Sequence, residues 1–187
     1  MASEILRPDG MGNDTDLIGS SAISNRNTLI DESVADDADY VYWAGTSEAI
    51  DEYTFANHGR LGTETIESVA VKYRAYSTPA GREDFDDSRI YIMAPTLGGD
   101  YSTAKSYGTS ETWIQHGTSV GANTVTFSTD PNGQAWTWTT LNALYVGVAL
   151  QADSGNYSRV TQVYVEVTYS GPFTYGADSF AVQVGAA

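Results

Sequence analysis

The chain of 187 residues contains no cysteine, only two lysines (Lys72 and Lys105) and only two histidines (His58 and His116). The missing cysteine excludes disulfides, thiolate metal sites and a thiol nucleophile, and nothing marks an oxidising compartment. Each histidine is followed by glycine, a loop signature rather than that of a shaped pocket. Positive charge is equally scarce: nine basic residues stand against 24 acidic ones, for a formal net charge of -15. Such a surface repels phosphates, so a nucleic-acid partner is not expected. No apolar run is long enough to span a bilayer, and Met1-Ala-Ser-Glu-Ile-Leu-Arg-Pro8 has neither the basic nor the apolar part of a signal peptide. The expectation is synthesis and folding in a cytoplasm, with no membrane partner.

Catalytic motifs are also missing. There is no Gly-x-Ser-x-Gly elbow, no His-Glu-x-x-His and no phosphate-cradling loop. Paired carboxylates across a sandwich cleft would be the one enzymatic route, with Glu52 and Glu166 as candidates. Acidic residues are so frequent here that a chance pair is expected, and the reading is of a protein that is not an enzyme and carries no cofactor.

What is present is β-structure. In Ser68–Tyr76, Val69, Val71, Tyr73 and Ala75 share one face while Lys72 and Arg74 share the other. In Arg159–Tyr169, Val163, Val165, Val167 and Tyr169 alternate with Gln162, Tyr164, Glu166 and Thr168. Period two is the mark of a half-buried antiparallel strand. Shorter strands are expected at Tyr40–Trp43, Ile50–Ala56, Arg89–Met93, Thr103–Gly108, Thr124–Ser128 and Leu144–Leu150, with turn residues between them. One all-β sandwich domain follows, of about 16 Å radius of gyration if compact.

Two stretches break the pattern. Residues 8–39 are polar, Gly-rich and acidic, and read as a long loop. The tail after Ser170 carries Phe173, Tyr175, Phe180, Val182 and Val184, with alternation resuming at Phe180-Ala-Val-Gln-Val184. These five residues are candidate interface positions on an extended arm that adds to a neighbouring subunit's edge. Glu83, Asp84, Asp86 and Asp87 gather within one turn, and hard oxygen donors so spaced suit Ca²⁺. The set is a weak candidate, since the Asp-x-Asp-x-Asp-Gly loop is absent and acidic tips are usually just solvated. Trp43, Trp113, Trp136 and Trp138 raise the question of sugar stacking, and tyrosine-rich outer faces (Tyr76, Tyr91, Tyr164) suit subunit contacts.

The most distinctive run is Asp130-Pro-Asn-Gly-Gln-Ala-Trp-Thr-Trp138, followed by Leu141, Leu144 and the strand-like Tyr145–Leu150. Trp136 and Trp138 lie two apart and in an extended chain project from one face. With Arg7-Pro8 and the acidic Asp36-Asp37 before Tyr40-Val41, this layout resembles a jelly-roll domain of structural proteins of tailed bacteriophages. The resemblance covers roughly residues 3–170 and implies that Trp136, Trp138, Leu141 and Leu144 form a core motif.

It implies a jelly-roll β-sandwich over residues 1–170 with a C-terminal extension at 171–187. It further implies a virion structural protein, of which a capsid decoration (cement) protein on the exterior surface is the leading form. Its expected partners are the major capsid protein and further copies of itself, as a homotrimer. A tail or neck adaptor, or a carbohydrate-binding module contacting host glycans, stands as the alternative.

Overall fold

A computed structural model of the chain describes residues 1–34, 36–56, 63–78, 89–93, 121–152 and 157–171. Ten strands run in chain order: β1 (Ala2–Leu6), β2 (Pro8–Thr15), β3 (Ile18–Gly19), β4 (Val41–Trp43), β5 (Ala49–Phe55), β6 (Thr65–Thr78), β7 (Arg89–Met93), β8 (Gly121–Phe127), β9 (Tyr145–Leu150) and β10 (Tyr157–Ser170). A 3-10 turn spans Arg26–Leu29, and one short helix, α1, spans Trp138–Asn142. The strands form two antiparallel sheets. The first has the order β3-β4-β10-β6-β8, with β1 also paired to β10; the second has the order β2-β5-β9-β7. The protein is an all-β sandwich.

The two alternating segments are the long central strands β6 and β10, paired from Thr65 with Ser170 to Thr78 with Tyr157, with register shifts at Glu67 and Thr161. Val69, Val71, Tyr73 and Ala75 meet Val163, Val165, Val167 and Tyr169 on the buried face. Opposite them, the second sheet contributes Tyr53, Phe55, Ile90, Ile92, Val146, Val148 and Leu150. At about 25 cal/mol per Å² of apolar surface removed from water, this interlayer contact is the main source of stability. The pairing is nested along the chain: β4 pairs with β10, β5 with β9 and β6 with β8, so later strands return onto earlier ones in reverse order.

β1 and β4 share one edge of β10. β4 pairs at Ser158–Val160 and β1 at Val165–Tyr169. Between them Thr161 forms a bulge, and the open ladder position is filled by a loop: the Val163 amide donates to the Ile30 carbonyl at 2.9 Å.

The loop expected over residues 8–39 is corrected in its first part. Residues 8–15 form β2, which leaves the first sheet at Arg7 and pairs with β5 in the second. Glycine lets an apolar-poor segment do this. A Cβ on Gly12 would come within 2.5 Å of the Glu52 Cβ, and one on Gly10 within 2.7 Å of the Thr54 hydroxyl. β2 therefore lies closer to β5 than side chains would allow. Farther on, Leu17, Leu29 and Ile30 are buried in the main core and pin the rest of the segment.

The tryptophan motif folds as a turn followed by the short helix α1. The Asp130 carboxylate accepts from the amides of Asn132 and Gln134, and Gly133 follows with φ of 76°, which closes the turn. Thr137 caps α1: its hydroxyl accepts from the Thr140 amide while the Thr140 hydroxyl accepts from the Thr137 amide. Trp136, Trp138, Leu141 and Leu144 are all buried in the core. The Trp136 indole donates to the Phe127 carbonyl and the Trp138 indole to that of Glu64. The expected strands 40–43, 50–56, 89–93, 124–128 and 144–150 coincide with β4, β5, β7, β8 and β9 to within a few residues.

Candidate docking surface

Among the described residues, the outward face of the first sheet gathers a cluster of tyrosine and arginine side chains. Because Val41 on β4 and Val160 on β10 point inward, Tyr40, Tyr42, Tyr157 and Arg159 point outward beside one another. The rings of Tyr40 and Tyr42 meet edge to face at 5.9 Å, and those of Tyr42 and Tyr157 at 6.0 Å. The Arg159 guanidinium lies 4.8 Å from the Tyr40 ring centre and 5.9 Å from that of Tyr157. Farther along β10, Arg7 stacks 5.4 Å from the Tyr164 ring centre. Each of these side chains is half-buried, which leaves one side of the cluster open. Guanidinium over tyrosine is favourable by about 0.5–1 kcal/mol at exposed sites.

Among the described residues, four cations lie here: Arg7, Lys72, Arg74 and Arg159. Arg74 forms a two-pronged pair with Asp37, at 2.8 and 2.9 Å, and Lys72 pairs with Glu166 diagonally across β6 and β10. Arg74 holds the Asp37 carboxyl below its ordinary range, chiefly by hydrogen bonding, and Glu166 in turn holds the Lys72 ammonium above its own. The result is a rigid surface of tyrosine rings and charges whose pairing is already set.

A second charged centre faces the core. Asp51 is fully buried on the inward side of β5. Its carboxylate accepts from Arg26 Nε at 2.7 Å and Nη2 at 2.9 Å, from the Leu17 amide at 2.9 Å and from the Tyr53 hydroxyl at 3.1 Å. Burial, then the neighbouring Asp51 charge, push the Tyr53 phenol well above its ordinary value, so it stays protonated and donates. Arg26 is raised in turn by its hydrogen bonds to Asp51. Every bond in this centre is used internally, and its chemistry is that of a latch joining the N-terminal segment to the second sheet.

The paired carboxylates do not converge. Glu166 lies on the outer face of the first sheet, while Glu52 lies on the outer face of the second, under β2, where it accepts from the Asn13 amide at 3.0 Å. Opposite faces of a sandwich cannot flank one glycosidic bond. Trp43 is half-buried and donates its indole N–H to the Ser47 carbonyl at 2.7 Å. Tyr164 is on the outer face as expected, stacked by Arg7. Asp84, Asp86 and Asp87, with Glu83, lie outside the described residues, as do Phe173, Tyr175, Phe180, Val182, Val184, Trp113, His58, His116 and the expected strand 103–108. Among the described residues, no group of three or more carboxylates or histidines is arranged to hold a metal ion.

Sequence reasoning missed the cluster of Tyr40, Tyr42, Tyr157 and Arg159, which exists only through the register of β4 on β10. It also missed the Asp51 latch, although a signal was present: Asp51 occupies an inward position between Ala49 and Tyr53. Neither the known protein families nor the characterised proteins compared with this chain match it.

Proposed function

We propose that this protein is a structural component of a tailed-phage virion, a capsid decoration protein that docks on the outer shell as a homotrimer. The observation that carries the reading is the outer face of the first sheet. Tyrosine and arginine are the residues that supply binding energy at protein interfaces, and here they lie side by side on a stiff sheet. Further support comes from the nested strand pairing, which is how a jelly roll is wound. The net charge of -15 suits a position away from packaged genome. The residues Phe173, Tyr175, Phe180, Val182 and Val184 would extend the contact to a neighbouring subunit.

Docking of this kind works by mass action. A protein that binds the assembled shell and not its separate subunits stabilises the shell by RT ln(1 + [L]/Kd). No bond-making chemistry is needed, and the mechanism is burial of tyrosine and aliphatic surface.

Cryo-electron microscopy of intact particles tests the proposal. Many copies at capsomer junctions, with the Tyr42 and Arg159 face against the shell, are the expected result. A few copies on the tail axis would transfer the protein to a tail or neck role. Absence from virions would overturn the reading. Binding to purified shells gives the energetic counterpart: Tyr42→Ala with Arg159→Ala weakens it by about 30-fold or more, the equivalent of about 2 kcal/mol for hot-spot residues. The open tyrosine rings would also suit a sugar ring. Saturable binding of soluble glycans, lost in Tyr42→Ala, would replace the decoration reading with a carbohydrate-binding one.

A further inference from the structure

Residues 30–34 and 36–39 lie along the gap in the β10 edge between β4 and β1. At the root of this segment, Ile30 is fully buried and its carbonyl takes the Val163 amide. Arg7 donates to the carbonyls of Asp31 and Glu32, and the Gln162 side-chain amide donates to that of Glu32 at 2.8 Å. At the far end, Asp37 is held by Arg74 and by the Thr161 hydroxyl at 3.3 Å. The segment is thus a strap, fastened at both ends to β10 and its neighbours.

Next to its root sits an ill-matched group. One carboxylate oxygen of Glu32 is out of contact with water and has no hydrogen-bond partner. An ionised carboxylate left this way carries a desolvation cost that its protonated form avoids. Around it stand Asp31, Asp36, Asp37 and Asp39 of the strap itself. The charged and titratable groups on the neighbouring elements are Arg7, between β1 and β2, which stacks on Tyr164 of β10, Arg159 of β10, which stacks on Tyr40, and Arg74 of β6, which pairs with Asp37. Arg7 is directed at backbone carbonyls and Arg74 at Asp37, so neither cation forms an ion pair with Glu32.

We propose that the strap is a proton-controlled cover: it lies closed over the β10 edge while Glu32 is protonated and opens as Glu32 ionises, uncovering the backbone of Thr161–Tyr164. Burial outweighs a hydrogen bond from the residue's own backbone amide and, with the neighbouring charges of Asp31, Asp39 and Asp36, raises the Glu32 carboxyl from 4.5 to about 7. The sign follows directly. A carboxyl raised in the closed state favours closure fully below its ordinary value, and that contribution is lost as pH rises through the raised one. With 4.5 for the open strap and about 7 for the closed one, the opening constant increases by up to about ten-fold between pH 6 and pH 8. An opened strap leaves unpaired strand backbone, the kind of edge that pairs with another chain.

The test uses the full-length protein and nuclear magnetic resonance. The Glu32 carboxyl carbon is titrated directly, and hydrogen exchange of the Val163 amide is followed from pH 6 to pH 8 after correction for intrinsic exchange. Expected are a Glu32 midpoint near neutrality and an up-to-ten-fold rise in Val163 opening, reduced to less than about two-fold in Glu32→Gln. A Glu32 midpoint in the ordinary carboxylate range, or Val163 opening that does not change with pH, overturns the proposal. Both readouts are made on the wild-type chain, so the outcome stands even where the variant does not fold.

Discussion

At Asp51 a single carboxylate satisfies four donors from three separate parts of the chain, without exposure to water. Removing it leaves Arg26, with only 13% of its side chain exposed, uncompensated, and orphans the Tyr53 hydroxyl and the Leu17 amide. Asp51→Ala is therefore expected to cost about 3–5 kcal/mol in denaturant unfolding. Replacing both partners, by Arg26→Met with Asp51→Leu, recovers much of that loss, because no buried charge then remains. A strictly additive double variant would argue that the two residues act separately. Two glycines separate at the same scale. Gly12→Ala forces a Cβ against the Glu52 Cβ and costs about 1–3 kcal/mol as overpacking, with β2 pushed away from β5. Gly133→Ala meets no atom within 4 Å but must hold φ of 76°, at about 1–2 kcal/mol. The first loss is relieved by Glu52→Ala only in part, since that substitution keeps the Cβ; the second is relieved by asparagine at 133.

At the scale of elements, what the sequence reveals depends on whether a segment's burial repeats. β6 and β10 are legible because each buries every second residue over most of its length. β2 was not, because Gly10, Gly12, Asn13 and Asp14 present no apolar alternation and the strand is held by backbone approach. α1 is too short for a 3.6-residue period to appear, and only its Thr137 and Thr140 capping pair marks it. Of the docking surface, Tyr164 was readable from alternation, whereas Tyr40, Tyr42, Tyr157 and Arg159 meet only once strand register is fixed. The strap adds a prediction of its own. Glu32 favours closure at low pH, whereas Asp37, held down by Arg74, contributes only while ionised and is lost as pH falls below its ordinary 3.8. Protection of the Val163 amide should therefore peak near pH 4, between the ordinary values of Asp37 and Glu32, and fall progressively as pH rises to about 7. Asp37→Asn removes the acid limb and leaves the neutral one, and Glu32→Gln does the reverse. A single monotonic profile in the wild-type chain would count against two opposed groups.

For the whole molecule the governing quantity is charge imbalance. Fifteen net negative charges repel one another in the folded state, and dissolved salt screens that repulsion over a Debye length that shrinks from about 30 Å at 0.01 M to about 10 Å at 0.1 M. Salt also weakens attractive surface pairs, here Arg74 with Asp37 and Lys72 with Glu166, whose side chains are about 28–43% exposed. Such pairs contribute about 0–1 kcal/mol each, so their loss is small. The Arg26–Asp51 latch is shielded from solvent and barely responds. The balance predicts that stability rises with ionic strength. A gain of about 1 kcal/mol would lift the melting temperature by about 2–4 °C for a chain of this size. Scanning calorimetry from 10 mM to 300 mM sodium chloride, with the pH held at 6 throughout, measures it. A melting temperature that falls over this range would mean that the surface pairs outweigh the repulsion. The Arg74→Gln variant, which deletes the strongest of those pairs, then decides the matter: its salt slope should be steeper than that of the wild type if repulsion dominates.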